Sequence, residues 1–96
     1  MIGRRGIMAK WRKTLGRVLS GSSETSIGFN DLCELLRRLG FAERIRGDHH
    51  IFTRADVGEI LNIQPRGSEG KAYQVRQVRN VITKYQLAGD DENHEV

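Results

Sequence analysis

Two adjacent histidines, His49 and His50, are the side chains of this sequence best suited to proton transfer near neutral pH. Free histidine has a pKa of about 6.5, so its imidazole can both accept and donate a proton under cellular conditions. The pair lies in the run Gly47-Asp48-His49-His50-Ile51-Phe52. A glycine that can adopt a left-handed conformation, followed by an apolar pair, predicts a tight turn that leads into a strand anchored in a core.

The two histidines also have a purely structural interpretation. Adjacent histidines in a hairpin are commonly partly buried and hydrogen-bonded. Strand alternation sends neighbouring side chains to opposite faces, which argues against a simple two-histidine site. No cysteine or histidine stands at a metal-ligand spacing from the pair, so we predict no metal. The sequence also lacks a nucleotide-binding glycine loop, and no cofactor is predicted.

The charge of the chain is unevenly distributed. The 96 residues carry a net charge of +4, with 16 basic and 12 acidic side chains. Four of the acidic residues, Asp90, Asp91, Glu92 and Glu95, lie in the last nine positions. Without those four, 8 acidic residues remain against 16 basic ones, a net charge of +8. Such a surplus on a small domain favours a polyanionic partner, with nucleic acid as the first candidate.

Hydrophobic spacing predicts the order helix, helix, strand, strand, strand, helix. The first helix is expected at residues 10–19 and the third at residues 73–87. The second helix is expected to begin after an N-cap at Asn30 and to end at Gly40. The strands are expected at residues 41–46, 49–54 and 59–64, and Pro65 should close the third, before a loop at 66–71. Antiparallel strands with helices stacked on one face make an α+β fold.

The composition divides the chain into four parts. These are a flexible basic arm (1–9), an N-terminal helix with a Ser/Gly linker (10–28), the folded domain (29–87) and a disordered acidic tail (88–96). No apolar run approaches the roughly 20 residues of a membrane span, and the first residues lack the apolar stretch of a signal peptide. We therefore expect a cytoplasmic protein that does not bind membranes. Cys33 falls among leucines and is predicted to be a small core residue.

Residues 29–87 resemble the HicA family of toxins from two-gene toxin–antitoxin systems. The resemblance rests on Leu36-Arg37-Arg38-Leu39-Gly40-Phe41, followed by the Gly47 to Phe52 run, and on a basic final helix with Val78-Arg79-Asn80-Val81-Ile82. Where family members commonly carry a histidine soon after the proline that ends the third strand, this chain has Arg66 and Gly67. The helix around Trp11 is an addition to the minimal toxin.

The resemblance implies a fold, an activity and partners. The fold is α-β-β-β-α with a three-stranded antiparallel sheet, similar to double-stranded-RNA-binding domains, plus the extra N-terminal helix. The activity is metal-independent cleavage of mRNA, with the essential histidine at His49 and a secondary position at His50. The partners are mRNA, a HicB-type antitoxin that covers the active site, and operator DNA through the toxin–antitoxin complex.

RNA cleavage without a metal needs three kinds of group, which are a base, an acid and nearby cations. The 2′-hydroxyl needs a base, the leaving 5′-oxygen needs an acid, and the phosphorane needs nearby cations. His49 can serve as one proton carrier, with His50 or a water as the other. The basic side chains nearest in sequence for phosphate contact are Arg44, Arg46, Arg54, Arg66 and Lys71. Two alternatives remain open at this level: a non-catalytic RNA-binding module, and a DNA-binding or protein-interaction domain that uses the Trp11 helix.

Overall fold

The computed structural model describes residues 9–21 and 27–89. Three helices are present, α1 (Lys10–Ser20), α2 (Phe29–Arg38) and α3 (Ala72–Lys84). The strands are β1 (Ala42–Arg46), β2 (His49–Arg54), β3 (Val57–Ile63), β4 (Pro65–Arg66) and β5 (Glu69–Gly70). The predicted α+β class and the three-stranded antiparallel sheet are confirmed. Most of the predicted basic arm, Ser/Gly linker and acidic tail lies outside the described residues.

Strand β2 lies in the centre of the main sheet, between β1 and β3, and both neighbours run antiparallel to it. The connection from β1 to β2 is the two-residue turn Gly47-Asp48. Gly47 has a φ of 62°, a left-handed value that favours glycine, as the sequence predicted. The register places Ile51 of β2 between Arg44 of β1 and Asn62 of β3.

One face of the main sheet packs into the core. Phe52, Leu61 and Ile63 on this face are at most 1% exposed. The helices contribute the buried side chains Leu32, Leu35, Leu36, Cys33, Val75, Val78 and Ile82. Full burial of one large apolar side chain contributes about 1.5–3 kcal/mol, so this single layer dominates the stability of the domain. The prediction that Cys33 is a core residue is confirmed.

The opposite face of the sheet is largely exposed, because strand alternation turns its polar residues away from the core. This outer face is formed by Arg44 and Arg46 of β1, His49 and Ile51 of β2, and Asn62 of β3. On β2 and β3 the alternate positions Phe52, Leu61 and Ile63 are buried in the core, whereas Ile45 between the two arginines of β1 is 59% exposed.

Helix α1 docks against the domain through a short apolar stripe. Leu15 and Val18 are at most 2% exposed, and Trp11 and Leu19 pack against the core from the rim. Arg79 of α3 donates a hydrogen bond from Nη1 to the carbonyl of Val18 in α1 at 3.5 Å, which links the two helices. No helix among the described residues is long and apolar enough to cross a membrane.

The start of α2 differs from the prediction. The N-cap is Gly28 rather than Asn30, and the helix begins at Phe29. The Phe29 N–H donates to the Ser68 carbonyl at 2.9 Å, while the Gly70 N–H donates to the Ile27 carbonyl at 3.0 Å. A hairpin distant in sequence therefore satisfies the backbone that a local cap would otherwise have to satisfy. Asn30 is exposed inside the first turn.

Other boundaries also differ from the prediction. Strand β3 begins at Val57 rather than at residue 59, so the preceding turn is shorter than expected. The predicted loop at 66–71 contains the small β4–β5 hairpin, and Pro65 opens β4. Helix α3 ends at Lys84 rather than at residue 87, and Ala88, the first residue of the predicted acidic tail, packs partly against the core.

Replacement of Phe52 by alanine tests the role of the central strand. We expect Phe52→Ala to lower the free energy of unfolding by about 3–5 kcal/mol, because a fully buried ring is lost and a cavity remains. The measurement is urea denaturation followed by far-ultraviolet circular dichroism. The matched control is Thr53→Ala, which changes the next, exposed position of β2 and should cost less than about 1 kcal/mol. Equal losses for the two variants would contradict this packing.

Candidate functional site

His49 stands on the outer face of the sheet with its ring held from one side. Its Nδ1 lies 2.9 Å from the side-chain oxygen Oδ1 of Asn62 on β3. An amide oxygen only accepts hydrogen bonds, so Nδ1 carries the proton and the Nε2 lone pair is left available. The side chain is 44% exposed, so a ligand can reach it. The arrangement fits a general base that acts through Nε2.

Asp48 provides a negative charge next to the same ring. Its Oδ1 lies 3.8 Å from His49 Nε2, beyond hydrogen-bond range but close enough for an ion pair once the imidazole is protonated. The negative charge of the carboxylate therefore acts on the nitrogen at which His49 would accept a proton. The Asp48 side chain is itself 64% exposed, and solvent screens part of this effect.

A chain of polar side chains connects Asp48 to Lys71. Gln64 donates from Nε2 to Asp48 Oδ2 at 3.4 Å, and Lys71 donates from Nζ to Gln64 Oε1 at 3.2 Å. The Gln64 backbone N–H donates to Oε1 of Gln74, which is buried at 2% exposure in α3. The buried amide positions Gln64, and Gln64 holds the Lys71 ammonium on the His49 side of the molecule.

The predicted phosphate-binding residues divide into separate groups. Arg46 is the cross-strand partner of His49, and Arg44 is the partner of Ile51, so both arginines extend the outer face. Arg66 and Lys71 line a shallow cavity of about 260 Å³ together with the start of α3. Arg46 therefore lies beside His49 on the neighbouring strand, and Lys71 is connected through Gln64 to Asp48, the residue before His49.

Arg54 is not part of this group. It lies five residues along β2 from His49, a separation of about 17 Å for an extended strand. Its Nη1 donates to the Leu39 carbonyl at 2.7 Å, and its Nε lies 2.9 Å from an oxygen of Asp56. There Arg54 and Trp11 line a different cavity, of about 330 Å³. Arg54 therefore links the end of α2 to the sheet, and the structure does not bring it near His49.

His50 lies on the core side of the sheet, as strand alternation predicted. Its Nδ1 is 2.7 Å from Glu43 Oε2, and its side chain is only 20% exposed. The ring contacts Phe29 edge to face, with centroids 4.9 Å apart. His50 and His49 therefore cannot face one substrate atom together while β2 keeps its extended conformation.

The Glu43 carboxylate accepts hydrogen bonds from two elements, α2 and β2. Arg37 of α2 donates to it twice, from Nε at 2.7 Å and from Nη2 at 3.1 Å, while His50 donates from β2. The Arg37 hydrogen bonds, with a smaller contribution from His50, hold the pKa of Glu43 below its ordinary value. Burial opposes this shift but does not reverse it.

Cys33 completes a cluster on the core side. Burial, with a further contribution from the Glu43 charge, raises the pKa of its thiol to about 11. One ligand-type atom from each of Cys33, Glu43 and His50 lies within 4.8 Å of the others. This cluster could not be predicted from the sequence, because its members come from α2, β1 and β2 and have no motif spacing. Asn62 and Gln64 were not predicted either, since their only sequence signal is a polar residue at alternate strand positions.

Comparisons with known proteins gave no family and no relative. No protein-family model matches the chain, and neither the curated proteins nor the solved structures contain a match. The residues around His49 must therefore be interpreted from their own geometry.

Removal of the Glu43 carboxylate tests the hydrogen bonds on the core side. A carboxyl group whose pKa is lowered on folding adds stability above its ordinary pKa of about 4.5, and this stability is lost as the pH falls through the lowered value. Glu43→Gln should be less stable than the wild type at neutral pH and should lose less stability on acidification to about pH 3. The measurement is the urea midpoint as a function of pH.

The matched control for that experiment is Glu34→Gln. Glu34 also pairs with arginines, and hydrogen bonds from Arg38 lower its pKa, but its side chain is 42% exposed. Solvent screening should make its effect smaller and more sensitive to salt. A larger pH effect for Glu34→Gln than for Glu43→Gln would show that the core-side hydrogen bonds do not form as described.

Proposed function

We propose that this chain is a metal-independent endoribonuclease, the toxin of a HicA/HicB-type toxin–antitoxin system, with His49 as its general base. The observation that carries the proposal is the exposed His49 ring, whose Nδ1 hydrogen bond to Asn62 leaves Nε2 free to accept a proton. The resemblance of residues 29–87 to HicA toxins supports the same assignment. The α+β fold with a three-stranded antiparallel sheet is compatible with the α-β-β-β-α layout that this family implies.

The proposed reaction uses the RNA as its own nucleophile. His49 Nε2 removes the proton of a 2′-hydroxyl, and the oxygen attacks the adjacent phosphorus while the bond to the 5′-oxygen breaks. The ion pair with Asp48 stabilises the imidazolium that forms. Arg46 extends the same face from β1, and Lys71 is connected to Asp48 through Gln64, so these two cations would balance the negative charge that the phosphorane gains. Because His50 is on the other face, water supplies the proton to the leaving oxygen.

The proposed partners follow from the same surface. The outer face combines exposed cations with a reactive histidine, and an mRNA strand can lie across it through phosphate contacts. A HicB-type antitoxin would neutralise the toxin by covering this face, and operator DNA would be bound only by the toxin–antitoxin complex. We place no metal ion or organic cofactor in the cleavage reaction.

A non-catalytic RNA-binding module is the second candidate function. The observation in its favour is that, among the described residues, the outer face has one histidine and no second imidazole as an acid. Such a module would use the same arginines and Lys71 for phosphate contact but would tolerate loss of His49.

RNA cleavage by purified protein in excess EDTA tests the enzymatic proposal. We expect the wild type to cleave, and His49→Ala to reduce the rate by about 10²–10⁴-fold, the contribution of a positioned general base. Asn62→Ala should give an intermediate loss, because the ring keeps its nitrogen but loses the partner that orients it. The rates are measured by gel electrophoresis of an end-labelled RNA.

The matched control for the cleavage assay is His50→Gln, which changes the neighbouring histidine on the core side. Its amide can still donate to Glu43, so the folded variant should cleave at a rate close to that of the wild type. Cleavage that survives His49→Ala would refute the site. Salt-sensitive RNA binding without any cleavage by the wild type would establish the binding module instead.

RNA affinity as a function of salt tests the proposed phosphate contacts. Arg46→Gln and Lys71→Gln should each weaken binding and reduce the slope of log K against log salt by about 0.7, the value for one phosphate contact with a single strand. Arg38→Gln removes the same charge from α2, where Arg38 pairs with Glu34, and should leave the slope unchanged. Equal slopes for all three variants would show that RNA responds to the net positive charge of the domain and not to phosphate contacts with Arg46 and Lys71.

A further inference from the structure

The core side of the sheet holds three side chains that the proposed cleavage reaction does not use. Cys33 comes from α2, Glu43 from β1 and His50 from β2, and their nearest ligand-type atoms all lie within 4.8 Å of one another. Thiolate, carboxylate and imidazole are the three ligand types that proteins use for zinc. No two of the three are close in sequence.

We propose that Cys33, Glu43 and His50 bind a zinc ion, with water as the fourth ligand. Three protein ligands and one open position are a common zinc arrangement, and the mixture of sulfur, nitrogen and oxygen suits Zn²⁺ better than Mg²⁺ or Ca²⁺. This site is independent of the proposed RNA cleavage, which takes place on the outer face.

The rearrangement that zinc requires is small. Ligand atoms around a tetrahedral zinc, at bond lengths of about 2.0–2.3 Å, lie roughly 3.3–3.7 Å apart. The Cys33 sulfur therefore needs to move toward the other two by no more than about 1–1.5 Å, while His50 Nδ1 and Glu43 Oε2 separate from 2.7 Å by somewhat less. The partly exposed side chains of Glu43 and His50 can also rotate toward the buried sulfur, which divides this shift among the three residues.

The hydrogen bond between His50 and Glu43 marks where the ion would enter. Glu43 Oε2 has a lone pair that now accepts the His50 N–H, and zinc would take that lone pair. The imidazole stays neutral if its proton moves from Nδ1 to Nε2, which frees the Nδ1 lone pair for the metal. The only proton released to solvent is that of the Cys33 thiol, because a coordinating sulfur is a thiolate.

Arg37 can remain in place when the ion binds. Its two hydrogen bonds occupy other lone pairs of the Glu43 carboxylate and would orient that ligand from behind, as outer contacts do in known metal sites. The charges of Zn²⁺, the Cys33 thiolate and the Glu43 carboxylate sum to zero. The positive charge of Arg37 is also partly balanced by Glu34, whose Oε1 lies 3.4 Å from Nη1.

The site is reachable from solvent at the rim of the domain. The side chains of Glu43 and His50 are 15% and 20% exposed, whereas Cys33 is 1% exposed at the inner end. An ion can therefore meet the oxygen and nitrogen first and the sulfur last. Once bound, it would join α2, β1 and β2 directly behind His49.

Cobalt(II) titration of the full chain, prepared without a histidine tag, is the experiment that tests this site. Cobalt replaces zinc in tetrahedral sites and gives an intense near-ultraviolet charge-transfer absorption when it is bound to a thiolate. We expect this absorption to saturate at one ion per chain, and zinc to abolish it by displacement. Zinc should also raise the melting temperature of the wild type.

The variants separate this site from the other histidines. Cys33→Ala should abolish the charge-transfer absorption, and His50→Gln should weaken cobalt binding by at least about tenfold, because even the loss of a residue that supports a metal ligand costs about that much. The matched control His49→Gln changes the adjacent residue on the outer face and should bind like the wild type. Circular dichroism of each variant confirms that it is folded.

Two results would overturn the proposal. One is a wild-type titration that shows no thiolate–cobalt absorption, which needs no variant to interpret. The other is stoichiometric binding that persists in Cys33→Ala and is lost in His49→Gln, which would place the ion on the outer face. RNA cleavage in EDTA is measured separately, so its failure and the failure of the zinc site are distinguishable.

Discussion

Two-residue alternation along β2 is the constraint on which the rest of this structure depends. An extended strand sends successive side chains to opposite faces, so His49 and His50 are adjacent in sequence and separated by the sheet. The buried Phe52 fixes which face is which, because a shift of the register by one residue would bring it into solvent. His49 therefore lies on the outer face, and His50, which donates a hydrogen bond to Glu43, lies on the core side.

On each face of the sheet, residues from neighbouring elements contact the histidine and orient its ring. On the outer face, Asn62 of β3 orients the His49 ring, and Asp48 lies beside it in the turn. On the core side, Glu43 of β1 joins His50 to Arg37 of α2. The same short strand therefore carries a partly exposed histidine on one face and a half-buried, hydrogen-bonded histidine on the other.

Local patterns were sufficient to predict the fold class, the hairpin turn and the separation of the two histidines. These features depend on periodicity and on a glycine at a left-handed position, both of which are visible in a short window of sequence. The start of α2 was predicted wrongly because its first N–H, that of Phe29, is satisfied by the carbonyl of Ser68, some forty residues away. The Cys33 cluster and the separate position of Arg54 depend in the same way on how distant elements pack. The spacing of residues along the sequence does not show which elements pack together.

The edges of the sheet affect how copies of this protein meet. Within the described part of the chain, β1 pairs with β2 only, and its other edge offers unpaired backbone groups. Antiparallel pairing of two such edges about Arg44 would bring the arginines of both copies together, and like charges in that position repel. The cations on β1 therefore also act as a barrier to self-association. A preparation of this protein should resist strand-mediated aggregation best at low salt, where that repulsion is least screened.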